Sequence, residues 1–208
     1  MSVGREGKSS VCAVLLAAGT SERFGAENKL LAEIDGAPLV RGVAENLVAS
    51  RVAAVAVVTG CQAERIQDAL AGLEVRFVTN PEFEKGLSSS LRHGVAAVGD
   101  DPSGAMVVLA DMPGTLVSVV DALIEAFEKE DCKKIVFPVD PKGQQGNPVI
   151  WPRAFFGELQ GLSGDRGAKK LIEQHRAHTL GIPVENKNTL RDIDTPADLA
   201  VWTETDRS

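Results

Sequence analysis

The sequence contains no tyrosine, and only 4% of its residues are aromatic. Single-stranded nucleic acid is usually held on stacked aromatic side chains, so a base-stacking platform is excluded. A basic surplus is missing as well. Twenty-nine acidic residues against 22 Lys and Arg give a formal charge of −7, the wrong sign for attraction to a phosphate backbone. The three cysteines, Cys12, Cys61 and Cys132, stand far apart with no C-x-x-C pair. Such usage forms neither a disulfide framework nor a zinc knuckle, and it fits a reducing compartment. The longest apolar runs, residues 11–18 and 52–58, fall well short of the ~20 residues that cross a bilayer. Residues 1–10 carry Arg5, Glu6 and Lys8 without an apolar core, so they read as a loose tail and not as a signal peptide. The expectation is a cytoplasmic protein with no nucleic-acid or membrane partner.

What is present is an ordinary globular balance, 44% hydrophobic and 25% charged over 208 residues. A chain of this length buries roughly 70% of its extended surface on folding, enough for one well-filled domain. A tail over 1–10 and a single domain over 11–208 are expected. Short Val/Ala/Leu runs alternate with longer amphipathic stretches, the rhythm of βαβ units in a three-layer α/β fold with a mostly parallel sheet. Strands are expected at 11–17, 52–59, 74–78 and 105–110, and helices at 38–50, 62–71, 87–98 and 116–129. The first strand is apolar at every position, which places it centrally. Beyond residue 130 the rhythm loosens, with strands expected at 134–138, 148–151 and 178–183 and helices at 166–175 and 196–203.

Ligands in open α/β sheets gather beyond the carboxyl ends of the strands, so the residues following each strand are the candidates. The first strand runs through Leu16, Ala17, Ala18 and Gly19 into a loop bearing Arg23 and Lys29. Glycine lets backbone N–H groups approach an anion there, and the two cations suit phosphate, although a solvated βα turn has the same composition. Two phosphate-binding loops are ruled out. Gly19 and Gly25 have five residues between them where the P-loop has four, and Ala26 follows in place of its lysine; no G-x-G-x-x-G is present either. Thr79, Asn80 and the serines 88–90 follow the third strand, with Ser88 and Ser90 at a helix start suited to an anion or a hydroxyl. Asp111 follows the fourth strand, where a carboxylate suits Mg²⁺ or, equally, a helix N-cap. Asn147, Asp165 and the pair Asp192 and Asp194 complete the set. One of that last pair is expected to face the site as a second metal ligand, the other being a solvent or capping residue. The three histidines show no arrangement that favours catalysis.

The loops together resemble the molybdopterin nucleotidyltransferases. The resemblance is carried by Leu16-Ala17-Ala18-Gly19-x-Ser21-x-Arg23-x-Gly25 with Lys29, by Thr79-Asn80-Pro81 with residues 86–94, and by Ala110-Asp111-Met112-Pro113. It continues through Gly146-Asn147-Pro148-Val149, Gly164-Asp165-x-Gly167-Ala168 and Asp192-Ile193-Asp194-Thr195-Pro196-x-Asp198-Leu199. These motifs follow one another in order over nearly the whole chain, and Ala18 matches the cytidylyl branch, where the guanylyl branch keeps a second glycine. The resemblance implies a Rossmann-like nucleotidyltransferase fold whose N-terminal half binds the nucleotide and whose C-terminal half binds the acceptor. It implies CTP and a molybdopterin-type acceptor as partners, with pyrophosphate released, and a molybdenum hydroxylase or its accessory factor beyond them. Arg23 and Lys29 would then contact the triphosphate, Asp111 would bind Mg²⁺, and Asp192 or Asp194 would complete the metal site. Leu16, Ala17, Ala18, Gly19, Thr79, Asn80, Ser88, Ser90, Asn147 and Asp165 would contact substrate. Another nucleotide such as GTP, or another acceptor such as a sugar phosphate or phospholactate, is the alternative. A non-catalytic cofactor carrier would not need Asp111 or Lys29, and an NAD-dependent oxidoreductase would need the missing glycine fingerprint.

Overall fold

The structure is a computed structural model that describes residues 9–21, 24–25, 28–164, 168–185 and 187–205. Arg23 and Asp165 therefore lie outside the described residues. In chain order the elements are β1 (Val11–Ala17), β2 (Glu33–Ile34), β3 (Ala37–Pro38), α1 (Leu39–Ala49), β4 (Val55–Thr59), α2 (Ala63–Ala69), β5 (Arg76–Thr79) and α3 (Leu87–Ala96). They continue with β6 (Gly104–Leu109), α4 (Val117–Lys129), β7 (Ile135–Val139), β8 (Val149–Pro152), α5 (Phe156–Gln160), α6 (Lys169–Gln174), β9 (Thr179–Pro183) and α7 (Pro196–Thr205). Among the described residues, no helix is long and apolar enough to cross a membrane.

Seven strands form one sheet in the order β5-β4-β1-β6-β8-β7-β9. The first four run parallel, β8 is antiparallel to both β6 and β7, and β7 pairs in parallel with β9. The centre is β1, buried at all seven positions. Because side chains alternate along a strand, β1 feeds two cores. Val11, Ala13, Leu15 and Ala17 join the residues of α1 and α4, while Cys12, Val14 and Leu16 join those of α3, α5 and α6. Sheet and helices thus form three layers, and truncating the fully buried Leu15 to Ala would cost about 2–5 kcal/mol. α3 crosses β1 so closely that a Cβ on Gly94 would strike the Val14 side chain. A glycine weakens a helix interior, and here the close approach requires it.

Several expected boundaries move. The stretch before α1 forms a two-residue hairpin of β2 and β3, and Pro38 lies in it at the N-cap of α1 with extended backbone, not inside the helix. The second strand starts at Val55, since Val52 packs into the core from the irregular segment ahead of it. The fourth ends at Leu109, which leaves Asp111 in the turn behind it. α5 was not expected; its five residues follow a 3₁₀ turn at Arg153–Phe155 and bury Phe156 and Leu159.

Candidate active site

Beyond the carboxyl ends of β1 and β6 lies a cleft of about 680 Å³. Leu16 and Ala18 form its wall at β1, and Leu109 and Asp111 at β6. Burial stops abruptly at this edge: Ala18 is buried, whereas Gly19 and Thr20 are exposed.

Lys29 is positioned from its own backbone. The side-chain oxygen of Asn28 accepts the Leu30 N–H at 3.1 Å, which caps the 3₁₀ turn Lys29–Leu31, and also accepts the Ser21 hydroxyl at 3.1 Å. One buried amide therefore ties the two ends of the first loop together. From that turn the Lys29 Nζ reaches across the cleft floor. It donates to Asp111 Oδ2 at 2.6 Å and to Asp194 Oδ1 at 2.7 Å.

The two carboxylates come from distant parts of the chain and are fixed to each other by the backbone. The N–H of Ile193 donates to the carbonyl of Asp111 at 2.9 Å, so the turn after β6 carries the segment that enters α7. That entry is a reciprocal cap. The Asp198 carboxylate accepts the Thr195 N–H at 2.9 Å, and the Asp198 N–H donates to the Thr195 hydroxyl at 3.2 Å. Pro196 occupies the first helical position, where a missing N–H costs nothing. Behind Asp111, a Cβ on Gly114 would meet the Thr189 backbone at 2.6 Å. The two segments are packed backbone to backbone.

Lys29, Asp111 and Asp194 have side chains 14%, 19% and 36% exposed, so the cluster is partly desolvated. Burial would lower the Lys29 pKa, but Asp111 and Asp194 together outweigh it and hold the ammonium above its usual value. Burial is also the leading effect on Asp111, and with the nearby charge of Asp192 it raises that carboxyl against the opposing pull of Lys29. Asp111 Oδ1 is buried without a hydrogen-bond partner. A buried acceptor left open costs stability unless something arrives to fill it.

This donor set fits a divalent cation. Mg²⁺ takes one or two carboxylates and completes its shell with water and substrate phosphates, and here two carboxylates already converge on one positive charge. No cluster of three or more His, Cys, Asp or Glu suited to a metal occurs among the described residues, so an all-protein metal cage is not formed by them. Asp194 lies in the cluster and lines the cleft, whereas Asp192 is exposed beyond the buried Ile193. One of the pair thus lines the cleft, although residues two apart in a regular strand would share a side, and the charge of Asp192 still reaches Asp111.

Of the other expected substrate contacts, Leu16, Ala18, Gly19 and Ser90 line the cleft. Ala17 turns its side chain into the opposite core. Asn80 is fully buried and clasps the start of α3, donating to the Ser89 and Ser90 hydroxyls at 2.8 and 3.0 Å and accepting the Glu82 N–H at 2.9 Å. It is a brace and not a wall residue. Ser88 is buried with its hydroxyl unpartnered, outside the wall. Thr79 is exposed at the end of the edge strand β5, also outside the wall. Asn147 does not line the cleft either. It precedes the antiparallel β8, whose first residue pairs with Val107, so it lies at the same edge of the sheet as the cleft. Sequence reasoning missed Phe83, Glu84 and Leu87, which form the wall facing β1. Phe83 lies so close to Gly60 that a Cβ there would fall 2.8 Å from its ring. The signal available was an aromatic in a polar loop just past a strand end.

A doubly wound sheet with a lysine and two carboxylates at its strand ends defines an α/β enzyme of the nucleotide-handling kind. The chain belongs to the family described as the MobA-like NTP transferase domain, which matches residues 13–179. It is 28% identical over 197 residues to "Nicotine blue oxidoreductase" of Paenarthrobacter nicotinovorans, spanning 89% of this chain and 92% of that one. It is 32% identical over 118 residues to "Probable molybdenum cofactor guanylyltransferase" of Natronomonas pharaonis, spanning 57% of each. Among solved structures it resembles a homologue of Mycobacterium tuberculosis Rv0371c from Mycobacterium sp. strain JC1, with TM-score 0.83, 26% identity and 95% and 97% of the two chains covered. Rv0371c itself, in complex with manganese, gives TM-score 0.80 at 23% identity over 94% and 98%.

Proposed function

We propose that this protein moves CMP from CTP to the terminal phosphate of a molybdopterin-type cofactor. An oxygen of that phosphate attacks the α-phosphorus, the bond from the α-phosphorus to the bridging oxygen breaks, and pyrophosphate leaves. The observation that carries the proposal is the Lys29 ammonium held between Asp111 and Asp194 at 2.6 and 2.7 Å on the cleft floor. Phosphoryl-type transfer depends on positioning and charge neutralisation more than on covalent help from protein. Lys29, with Arg23 from the same loop, would grip the triphosphate. Asp111 and Asp194 would hold Mg²⁺, which when bound neutralises phosphate oxygens; the manganese complex of Rv0371c supports a divalent ion of this kind. The N-terminal half would carry the nucleotide and the C-terminal half the acceptor, with Asn147 at the shared edge and Asp165 as a further acceptor contact.

Cytidine is assigned from Ala18, which lines the cleft and whose methyl group would hinder a purine approaching the backbone there. The relative named as a guanylyltransferase supports GTP as the competing nucleotide. An oxidoreductase is a second reading, favoured by the name of a relative aligned over 89% of this chain. The first loop lacks the glycine spacing that usually receives a dinucleotide, which favours transfer. The test is pyrophosphate release with each of the four nucleoside triphosphates, with and without molybdenum cofactor, beside an arm that follows NADH and NADPH absorbance. Cofactor-dependent release from CTP is expected. Release from GTP alone would move the assignment to guanylyl transfer, and nicotinamide oxidation without release would replace it.

A further inference from the structure

The position of the Lys29 ammonium has a consequence for how a metal ion enters. Asp111 Oδ2 and Asp194 Oδ1 both bond the same nitrogen, at 2.6 and 2.7 Å, at the short end of charge-assisted contacts. Their separation is set by the backbone bond from Ile193 to Asp111, independently of the lysine. Asp111 Oδ1 is left buried and unpartnered beside them. An ammonium and a divalent ion cannot share that gap, because like charges so close repel strongly and the doubly charged ion doubles that repulsion. Lysine is nonetheless the cation suited to leave, a point charge on a flexible stem, and its backbone stays clamped by Asn28 while the stem swings.

We propose that in the nucleotide-free protein the Lys29 ammonium stands in the place of the divalent cation. The metal then enters with the nucleoside triphosphate, whose phosphate oxygens draw the lysine off the two carboxylates. This rests on the nucleotidyl-transfer reading above. Metal and nucleotide bind cooperatively as a result, each removing the competitor of the other. Metal alone would be held weakly, despite two carboxylates poised for it.

The test is a Mn²⁺ titration followed by loss of the free-ion paramagnetic resonance signal, on the full chain without nucleotide. Lys29→Met and Lys29→Gln, which lose the charge, should bind Mn²⁺ at least about tenfold more tightly than the parent, since the competing cation is gone. Lys29→Arg, which keeps the charge, should bind as weakly as the parent. Adding Asp111→Asn to Lys29→Met should abolish the gain. In the parent, a non-hydrolysable CTP or GTP analogue should restore tight Mn²⁺ binding. Equal affinity in the parent and in either folded charge-loss variant overturns the proposal, as does a gain that survives Asp111→Asn. A gain in the variants with no response to either analogue keeps the lysine in the cation's place and overturns the nucleotide reading instead.

Discussion

The two halves of the sheet are built differently. From β5 to β6 every strand runs parallel, and each carboxyl end opens on the cleft side. From β8 to β9 the direction is broken by the antiparallel β8, whose last residue Pro152 pairs with Gly104 at the start of β6. The loop after β8 therefore leaves at the far edge of the sheet, and only the loop before it reaches the cleft edge. The parallel half supplies Lys29 and Asp111, whereas the other half supplies one charged wall residue, Asp194, from a segment beyond the sheet. A site at strand ends is a direct product of parallel winding, and reversing one strand removes its end from service.

The sharpest break in this comparison is Asp111→Asn, expected to reduce turnover by roughly 10³-fold, the scale of losing a preorganised charge contact. It should not lower the melting temperature. The fold raises the Asp111 pKa through burial, so the charged form is disfavoured in the native state and a neutral amide relieves that penalty at pH 7. A melting point several degrees below the parent would show that the carboxylate holds the fold together. Asp194→Asn tests the single contribution of the other half and should cost about 10²-fold in turnover. Undiminished pyrophosphate release would leave the parallel half acting alone. Lys29→Ala and Arg23→Ala should each lose about 2 kcal/mol of transition-state stabilisation, roughly 30-fold in kcat/KM for the nucleotide. Parental values in both would reduce the first loop to a surface turn. In a competition assay at equal CTP and GTP, Ala18→Gly should shift product from CMP towards GMP by about tenfold, the scale of one pocket methylene.

The smallest effect belongs to Asp198. Its carboxyl lies below the ordinary range because the Thr195 hydroxyl and N–H donate to it. A depressed folded pKa means the cap contributes stability that is complete above the unfolded value near ~3.9 and fades as pH falls through the folded one. The melting difference between the parent and Asp198→Ala should therefore be constant at neutral pH and shrink below about pH 4. A difference unchanged at pH 2 would assign the effect to the backbone and not to the charge.

The parallel half was legible because its signals are local. An all-apolar β1 announces a central strand, and the strand-end rule then points to Lys29 and Asp111. The six quoted motifs carried the family. What sequence could not rank was which polar residue faces inward: Ser88 sits between the cleft-lining Leu87 and Ser90 yet is buried outside the wall, since a helix start alternates wall and core within one turn, and Asn80 is buried just past the end of β5. The bond that joins Asp111 to Ile193 was invisible because it is backbone to backbone and leaves no residue preference. The short hairpin of β2 and β3, two residues a side, is below the length at which alternation can be seen.

That same bond from Ile193 to Asp111 sets a schedule for the growing chain. Synthesis proceeds from the amino end at roughly 5–20 residues per second, so Lys29 and Asp111 emerge seconds ahead of the segment that carries Asp194. During that interval the nascent polypeptide has a lysine and a lone carboxylate but no pair. The pair of carboxylates is complete only once the segment bearing Asp194 has emerged.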